Sequence, residues 1–382
     1  MRIAIDVRDL GIARTGIKTY LEELCQALPM ATSEHQFLFL APRWAVPGGR
    51  SLWSKIVGHL AFYFWKEIEL PWRAWREGCR VIFCADYVVP LLFPGESLAV
   101  FHDASFWERP QDYNPLWRSL LDLLALPAAR RSPAVITVSV FSKRRLALLS
   151  GISTEKLHIV YEAPKSSTLP EQSRPAGEDI LQKYHLEERK FLLHVGVFEK
   201  RKNLSNLIKA FATIQQQLPA EFKLVLVGQA GPKQNMDDSR QIEEAIQSYD
   251  LEDAVVLTGY ISDDELAAFY RSANCYVFPS IYEGFGLPLL EAFANDLPTA
   301  AANAAALPEI AQDGALLFDP TDPEDMARQI IRVISDNDVR QRLVEAGRRR
   351  LADFSWEKSA QEIISIMEVA AASRMTNYDA SY

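Results

Sequence analysis

The chain has 382 residues, of which 48% are apolar and 24% are charged, and its formal net charge is −9. This length is two to three times that of an ordinary domain, so it predicts two hydrophobic cores. Its longest apolar runs fall far short of the roughly 20 residues that a membrane-spanning helix needs, and its charged start is unlike a signal peptide. We therefore expect a cytoplasmic protein without a transmembrane helix.

The charge is unevenly divided along the chain. Residues 1–165 carry a net charge of +4, whereas the remainder carries −13. This division argues against a chain that binds nucleic acid along its whole length. It permits a basic N-terminal domain that approaches an anionic surface.

The first half predicts alternating strands and helices. An apolar strand from Arg2 to Val7 precedes a glycine-containing loop and an amphipathic helix from about Ile17 to Leu28, as at the start of a doubly wound domain. Further strands are predicted at Gln36 to Leu40, Arg80 to Cys84, Leu98 to Phe101 and Ala134 to Val138. His102 directly follows one of these strands. It therefore points into the ligand crevice, unless it is an ordinary structural histidine.

A segment rich in Pro, Ser and Glu separates this half from a second series. It lacks any period, and we predict an interdomain linker over residues 166–178. Strands and helices alternate again across residues 179–354, which predicts a second parallel sheet covered by helices on both faces. The predicted strands are Phe191 to Val195, Phe222 to Val227, Ala254 to Leu257, Cys275 to Phe278 and Pro298 to Ala302.

The most informative segment runs from Glu283 to Glu291 and reads Glu-Gly-Phe-Gly-Leu-Pro-Leu-Leu-Glu. Its glycines let the main chain pass close to a ligand before an apolar helix begins, and a helix start favours a phosphate. The two carboxylates are suited to accept hydrogen bonds from sugar hydroxyls on either side of that phosphate. The alternative is a helix start with an acidic cap and a solvated glutamate.

Three consecutive cations, Lys200 to Lys202, stand between the strand ending at Val195 and the next helix. Arginine can pair with phosphate oxygens through two hydrogen bonds, and lysine supplies a compact charge. A solvated basic loop would explain the same residues. Their position after a strand favours a diphosphate site.

The Glu-x7-Glu pattern with Gly-Phe-Gly-Leu-Pro between the carboxylates resembles the signature of the GT4 family of retaining glycosyltransferases. The resemblance covers most of the chain and implies an α/β protein of the GT-B fold, in which two Rossmann-like doubly wound domains face an interdomain cleft. It also implies that the final helix, within residues 355–382, packs back on the N-terminal domain of residues 1–165. Residues 179–354 would then bind the nucleotide sugar.

The resemblance also assigns residues to the donor. Glu283 and His102 would be the catalytic residues that contact the donor sugar, with Asp103 beside His102. The diphosphate would lie against Arg201, Lys202 and a glycine turn that consists of Gly284, Phe285, Gly286 and Leu287. Glu291 would bind the ribose, and Tyr260 would lie where family members hold the base.

Two loops of the N-terminal half also match family patterns. Gly16 lies in a loop that resembles the family's N-terminal glycine loop, which approaches the diphosphate and the acceptor; its alternative role is tight packing of strand and helix. Ser142 belongs to a Ser-x-x-Ser-Lys turn, where capping of the next helix is the alternative to a ligand contact.

We expect no cofactor and no required divalent metal. No Asp-x-Asp pair follows a strand as in metal-dependent glycosyltransferases, and Asp237 and Asp238 lie in a polar loop that we expect to be solvated. The charge of the leaving diphosphate would then be stabilised by cations and helix-end amides.

The acceptor has a weaker signature. The segment from Trp53 to Trp75 holds four of the eight Trp, interleaved with Lys and Arg such as Lys66, and this mixture suits a bilayer interface. A packed helical insertion with cations that extend to solvent is the alternative. Membrane contact would favour a lipid-linked saccharide acceptor at the inner membrane surface, as for many relatives.

The sequence therefore predicts a retaining hexosyltransferase of cell-surface polysaccharide or lipopolysaccharide synthesis. Its Arg-Lys-Asn run at Arg201 to Asn203 resembles a subset of the family associated with mannosyl transfer from GDP-mannose. One alternative is a catalytically silent scaffold that binds nucleotide sugars. Another is a dinucleotide-dependent oxidoreductase, although the loop from Gly11 to Gly16 lacks the required glycine spacing.

Overall fold

The structure is a computed structural model that describes residues 1–12, 16–32, 34–44, 52–169, 178–231 and 235–379. Its residues form two compact units. The first comprises residues 1–110, 114–162 and 355–382, and the second comprises residues 111–113 and 163–354. Each unit has its own sheet and its own core.

The first unit contains a parallel sheet of six described strands in the order β2-β1-β3-β4-β5-β6. Chain order reverses direction between β1 and β3, so their carboxyl ends flank the crevice where doubly wound sheets bind ligands. The strands are β1 (Arg2–Asp6), β2 (Gln36–Leu40), β3 (Val81–Cys84), β4 (Glu96–Phe101), β5 (Val135–Thr137) and β6 (Leu157–Ile159).

The second unit repeats this plan with six described parallel strands in the order β12-β11-β10-β7-β8-β9. Here the reversal lies between β7 and β10. Strands near the middle of the sheet read as continuous apolar runs because helices cover both faces. The strands are β7 (Phe191–Val195), β8 (Lys223–Val227), β9 (Val255–Gly259), β10 (Cys275–Phe278), β11 (Thr299–Ala302) and β12 (Ala315–Phe318).

Helices connect the strands in both units. In chain order they are α1 (Gly16–Ala31), α2 (Leu52–Phe64), α3 (Leu70–Arg76), α4 (Ser105–Glu108), α5 (Pro115–Leu120), α6 (Leu126–Arg131), α7 (Val140–Ser150), α8 (Glu178–Lys183), α9 (Leu204–Gln215), α10 (Ser239–Ser248), α11 (Asp263–Ser272), α12 (Leu287–Ala294), α13 (Leu307–Ala311), α14 (Pro323–Ser335), α15 (Asn337–Leu351) and α16 (Trp356–Asp379). Residues Trp65–Glu69 form a π-helical turn that joins α2 to α3.

The final helix α16 belongs to the first unit, as predicted. It packs along α1, where the rings of Tyr20 and Trp356 meet edge to face with centroids 5.7 Å apart. The Ser359 hydroxyl donates a hydrogen bond to the Tyr161 carbonyl at 2.6 Å. The last residues of the predicted helix, 380–382, lie outside the described residues.

The segment predicted as a linker differs in part from that expectation. Residues 163–169 pack within the second unit, where Thr168 is fully buried. Lys165 Nζ lies 2.8 Å from Asp263 Oδ2, and the Asn295 side chain donates to the Thr168 carbonyl at 2.9 Å. The described part of the segment is therefore structured, and residues 170–177 lie outside the described residues.

An exposed apolar stripe runs along α2, the π-helical turn and α3. Its members recur every three or four residues, so they share one face of the helical segment. They are Trp53, Val57, Leu60, Phe64, Ile68, Trp72 and Trp75, each more than a third exposed. No described helix is long and apolar enough to cross a bilayer.

Lys66, on the same segment, is buried, whereas both interpretations of this segment, a bilayer interface or a packed insertion, left its charge at the surface. Its ammonium lies 2.8 Å from Asp6 Oδ2 and 2.6 Å from Asp86 Oδ1, at the carboxyl ends of β1 and β3. Burial lowers the pKa of Lys66, but the charges of Asp6 and Asp86 outweigh burial and raise it. This ion-pair cluster attaches the helical segment to the edge of the sheet.

We expect Lys66→Met to lower the free energy of unfolding by about 3–5 kcal/mol, because two buried carboxylates lose their cation. Urea denaturation followed by circular dichroism measures this loss. Lys18→Met is the matched control, since the half-exposed Lys18 pairs with Glu22 at 3.5 Å and should contribute at most about 1 kcal/mol. Equal losses in the two variants would contradict this role of Lys66.

Candidate functional site at the switch point of the second sheet

Two loops meet at the carboxyl ends of β7 and β10. The first leads from β7 to α9, and the second leads from β10 to α12. The Ile281 amide donates to the Arg201 carbonyl at 2.9 Å, which joins the loops directly. Asn203, in the left-handed conformation with φ 58°, donates to the carbonyls of Pro279 and Pro320. These bonds hold both loops in one arrangement at the position that favours ligand binding in this topology.

The predicted site residues Arg201, Lys202 and Glu283 lie in contact here. Arg201 Nη1 lies 2.6 Å from Glu283 Oε2, and Lys202 Nζ lies 2.6 Å from Glu283 Oε1. Arg201 Nε also lies 2.8 Å from Glu199 Oε2. The cations predicted for a diphosphate and the acid predicted for a sugar therefore neutralise each other.

The cluster is largely withdrawn from solvent. Glu199, Lys202 and Glu283 are buried, whereas the Arg201 side chain is 23% exposed. Burial raises the pKa of Glu283, but the charges of Arg201 and Lys202 outweigh burial and hold that pKa at about 2. Glu283 is therefore an ionised acceptor throughout the neutral range and cannot donate a proton there.

The start of α12 carries the predicted glycine turn. Gly286 has φ 126°, which residues with a side chain rarely adopt, and a Cβ there would approach Leu307 to 3.1 Å. Gly286 has no side chain that could cap the amides of the first helical turn, and Leu287 begins the helix. Gly284 completes the turn. The Phe285 ring is buried edge to face against Phe354, so this side chain serves packing.

Glu291 and Tyr260 have contrasting surroundings. Glu291 is buried on α12 and accepts a hydrogen bond from the Tyr270 hydroxyl at 2.7 Å. A ribose hydroxyl at Glu291 would share the carboxylate with this tyrosine. Tyr260 directly follows β9 and is 76% exposed, so its ring is accessible to a base.

In the first unit, both ring nitrogens of His102 face acceptors. Nδ1 lies 3.0 Å from Glu162 Oε1, and Nε2 lies 3.0 Å from the Ala85 carbonyl oxygen. Burial lowers the pKa of His102, but the hydrogen bond and charge of Glu162 outweigh burial and raise it. Since neither acceptor can donate when Glu162 is ionised, this arrangement holds an imidazolium, which has no lone pair for use as a base.

Neighbours of His102 have structural roles as well. Asp103 accepts hydrogen bonds from the Ser105 amide and hydroxyl at 2.8 and 2.5 Å. The suggestion that Ser142 caps the next helix is wrong, because Ser139 caps α7 by accepting from the Ser142 amide. The Ser142 hydroxyl donates instead to the His102 carbonyl at 3.2 Å. These bonds fix the loop that presents His102.

Gly16 begins α1. A Cβ built on it would meet no described atom within 4 Å, so close packing does not explain this glycine. Arg14 and Thr15, which precede it in the predicted loop, lie outside the described residues.

Asp238 is buried, although we expected Asp237 and Asp238 to be solvated. Asp237 accepts hydrogen bonds from the amides of Gly231 and Ser239, so the pair serves to fix its own loop. In the part of the chain that the structure describes, no group of three or more His, Cys, Asp or Glu side chains could hold a metal ion.

Sequence reasoning missed two partners of the predicted residues. Glu199 orients Arg201, and Glu162 orients His102. Glu199 stands two residues before Arg201, and an acid next to three consecutive cations is a local signal that could have predicted this pairing. Glu162 lies 60 residues from its partner, and no local pattern connects them.

We expect Glu162→Gln to lower the pKa of His102, because burial still disfavours the charged ring after the carboxylate is gone. The imidazolium, present below the raised pKa in the native protein, would then be lost at a lower pH. A histidine-ring NMR titration measures the change. Glu368→Gln, which removes the acid 2.8 Å from His35, is the control and should leave His102 unchanged. An identical His102 titration in both variants would contradict the pairing.

The chain is similar to known glycosyltransferases. Residues 177–350 match the family described as Glycosyl transferases group 1. O-antigen chain mannosyltransferase B of Escherichia coli is 27% identical over 70% of this chain and 69% of its own length. The serotype-specific mannosyltransferase WbdA of Escherichia coli is 27% identical over 76% of this chain, a match that spans about a third of WbdA, 33%.

A solved structure shares the fold over the whole chain. Sucrose-phosphate synthase from Thermosynechococcus elongatus superimposes with a TM-score of 0.75 at 21% identity, covering 98% of this chain and all of that one, 100%. The predicted GT-B architecture, with its two six-stranded parallel sheets, is thereby confirmed. Residues 177–350, somewhat less than half of the chain, are thus similar to the glycosyl transferases group 1 family.

Proposed function

We propose that the protein transfers a hexose, with mannose as the best candidate, from a nucleoside diphosphate sugar to a saccharide hydroxyl. The mannosyltransferase names of its relatives support the choice of sugar, as does the Arg-Lys-Asn run at Arg201 to Asn203. The O-antigen relative supports a role in lipopolysaccharide or other cell-surface polysaccharide synthesis.

The contact of Arg201 and Lys202 with Glu283 at the switch point carries the proposal. A diphosphate bears negative charge like a carboxylate, and it can replace Glu283 as the partner of both cations. The amides at the start of α12 add positive potential at the same place. The site is therefore suited to an anion, and the Glu283 carboxylate is the group that such an anion would displace.

The exchange gives Glu283 its role. Once the diphosphate pairs with Arg201 and Lys202, the Glu283 carboxylate is free to accept hydrogen bonds from hydroxyls of the donor sugar. Those hydroxyls lie next to the diphosphate in every sugar nucleotide, so one small movement of Glu283 suffices. Sugar and leaving group would be bound by parts of a single cluster.

We further propose that transfer proceeds with retention and without a required metal. The two carboxylates of this cluster, Glu199 and Glu283, are both paired with cations, which makes either a poor nucleophile for double displacement. The departing diphosphate would take the acceptor proton on the same face of the sugar. Arg201 and Lys202 would stabilise its growing charge in place of a divalent ion.

We expect the purified protein to release GDP from GDP-mannose faster than it releases nucleotide from other sugar nucleotides, and to do so in EDTA. Supplied with mannosyl acceptors, it should form an α-linked product, which NMR of the anomeric proton detects. Release of nucleotide at no more than the background rate with every sugar nucleotide would refute the transferase and favour a silent scaffold. Loss of activity in EDTA would refute metal independence.

Glu283→Gln serves as the matched inactive variant in this assay. The amide keeps the volume of the side chain but cannot neutralise two cations, so we expect transfer to fall by at least about 100-fold. Glu221→Gln removes an exposed acid that pairs with Lys190 at 2.5 Å and should keep full activity. Equal activity in both variants would remove Glu283 from the site.

We also propose that the apolar stripe contacts the inner membrane surface. Its three exposed Trp, at positions 53, 72 and 75, have the amphipathic rings that favour the headgroup region. Lys66 contributes no surface charge, because it is buried. Apolar area rather than net charge would then drive binding, and a lipid-linked saccharide would be the acceptor presented there.

We expect the protein to sediment with vesicles of phosphatidylethanolamine and phosphatidylglycerol, and to remain bound in 0.5 M salt because the contact is apolar. Changing Trp53, Trp72 and Trp75 together to Ser should release it. The control changes Leu148 and Val369 to Ser, which are exposed apolar residues outside the stripe. Wild-type protein that stays in the supernatant, or a triple variant that still sediments, would refute the contact.

A further inference from the structure

His194 lies beneath the cluster and has a defined tautomer. It stands on β7, is fully buried, and lies parallel to the Tyr276 ring with centroids 6.4 Å apart. Its Nδ1 lies 3.0 Å from the Val277 carbonyl oxygen on β10. Because a carbonyl only accepts, Nδ1 carries the proton. Burial, followed by the charge of Lys202, lowers the pKa of His194 to about 3, so Nε2 bears a lone pair throughout the neutral range.

That lone pair has no hydrogen-bond partner among the described residues. Buried polar atoms are nearly always paired, and an unpaired acceptor in the interior costs free energy. A phenylalanine would fill the same ring position without that cost. The histidine at this position therefore calls for a partner that arrives in another state of the site.

Lys202 lies next to the same glycine as this nitrogen. A Cβ built on Gly196 would lie 3.4 Å from His194 Nε2, 3.4 Å from Lys202 Cε and 3.6 Å from Lys202 Nζ. The acceptor and the ammonium thus border one small space, which exists because residue 196 has no side chain. Rotation of the terminal bonds of Lys202 moves its ammonium into this space.

The proposed function requires Lys202 to change partners. Its ammonium has three N–H donors, and in the free protein it bonds to Glu283 Oε1 at 2.6 Å. When Glu283 turns to the donor sugar, this bond is lost. The diphosphate takes one N–H of the ammonium, and a further acceptor is needed to hold this buried group in place.

We propose that His194 is a positioning residue whose Nε2 accepts a hydrogen bond from Lys202 when Glu283 releases it to bind the donor sugar. This inference rests on the proposed function and assigns His194 no contact with substrate. It predicts a specific pattern. The free nucleoside diphosphate has no sugar to hold Glu283 away, so the ammonium, with three N–H donors, can bond to a phosphate oxygen and to Glu283 together. Loss of the lone pair should therefore weaken binding of the intact donor and leave binding of the free nucleoside diphosphate unchanged.

Two substitutions distinguish the contributions of the two ring nitrogens of His194. Asparagine places an amide near the Nδ1 position, so His194→Asn can keep the bond to the Val277 carbonyl and lacks the second acceptor. Glutamine extends to the Nε2 position and can supply that acceptor. A merely structural role of His194 would favour Asn over Gln, whereas the proposed role favours Gln over Asn.

Isothermal titration calorimetry of each folded variant with GDP and with GDP-mannose tests the proposal. For His194→Asn we expect GDP affinity within about twofold of wild type and GDP-mannose affinity lower by about tenfold, the loss of one hydrogen bond to a charged group. His194→Gln should restore donor affinity to within about threefold. His194→Phe, which keeps the ring but neither nitrogen, should match His194→Asn in its ratio of the two affinities.

The results distinguish the inference from the proposed function. If wild-type protein binds GDP-mannose and releases GDP, but Asn and Gln variants have the same ratio of donor to GDP affinity, the role of His194 is wrong and the transferase stands. If both ligands weaken equally in every variant, His194 is structural only. If wild-type protein binds and turns over none of the sugar nucleotides, both proposals fall together.

Discussion

Arg201, Lys202 and Glu283 meet where two loops of the second unit converge, and the ion pairs between them determine what this part of the protein can do. The topology makes the contact possible, since β7 and β10 are neighbours in the sheet although residues 202 and 283 are 81 positions apart. Two cations in one buried place repel each other, and the carboxylate removes that repulsion. A carboxylate of the protein itself therefore holds the two cations together, and in our proposal it keeps the anion site formed.

The first unit has a comparable cluster at its own switch point, with a different ratio of cations to carboxylates. There a single lysine, Lys66, is enclosed by Asp6 and Asp86, and all three are buried. Such a cluster is closed to ligands, and it attaches the helical segment to the sheet. At the second switch point, Arg201 retains a partly exposed side chain, so an incoming anion can reach the cations. One topological position thus serves structure in one unit and, in our proposal, chemistry in the other.

Much of this was predictable from local patterns. The alternation of strands and helices predicted both sheets, and placement of Lys202 and Glu283 after strands predicted that they lie at one sheet edge. The sequence could not show that they pair with each other, because the same residues suit separate parts of a ligand. The pairing of His102 with Glu162 was missed for a related reason, since only the folded chain brings them together. Asp238 was expected in solvent, and the burial of Lys66 was not predicted, because charge is a poor guide to burial when the compensating charge is distant in sequence.

The attachment of Lys66 also has a mechanical consequence for the helical segment on which it lies. Its ammonium is held at 2.6 and 2.8 Å by carboxylates that extend from two adjacent strands, so the segment cannot slide or roll without separating buried charges. The adjacent part of the apolar stripe is thereby restrained. A restrained surface loses little conformational entropy on contact, so in the membrane contact that we propose the lipid, rather than the protein, would adapt its shape.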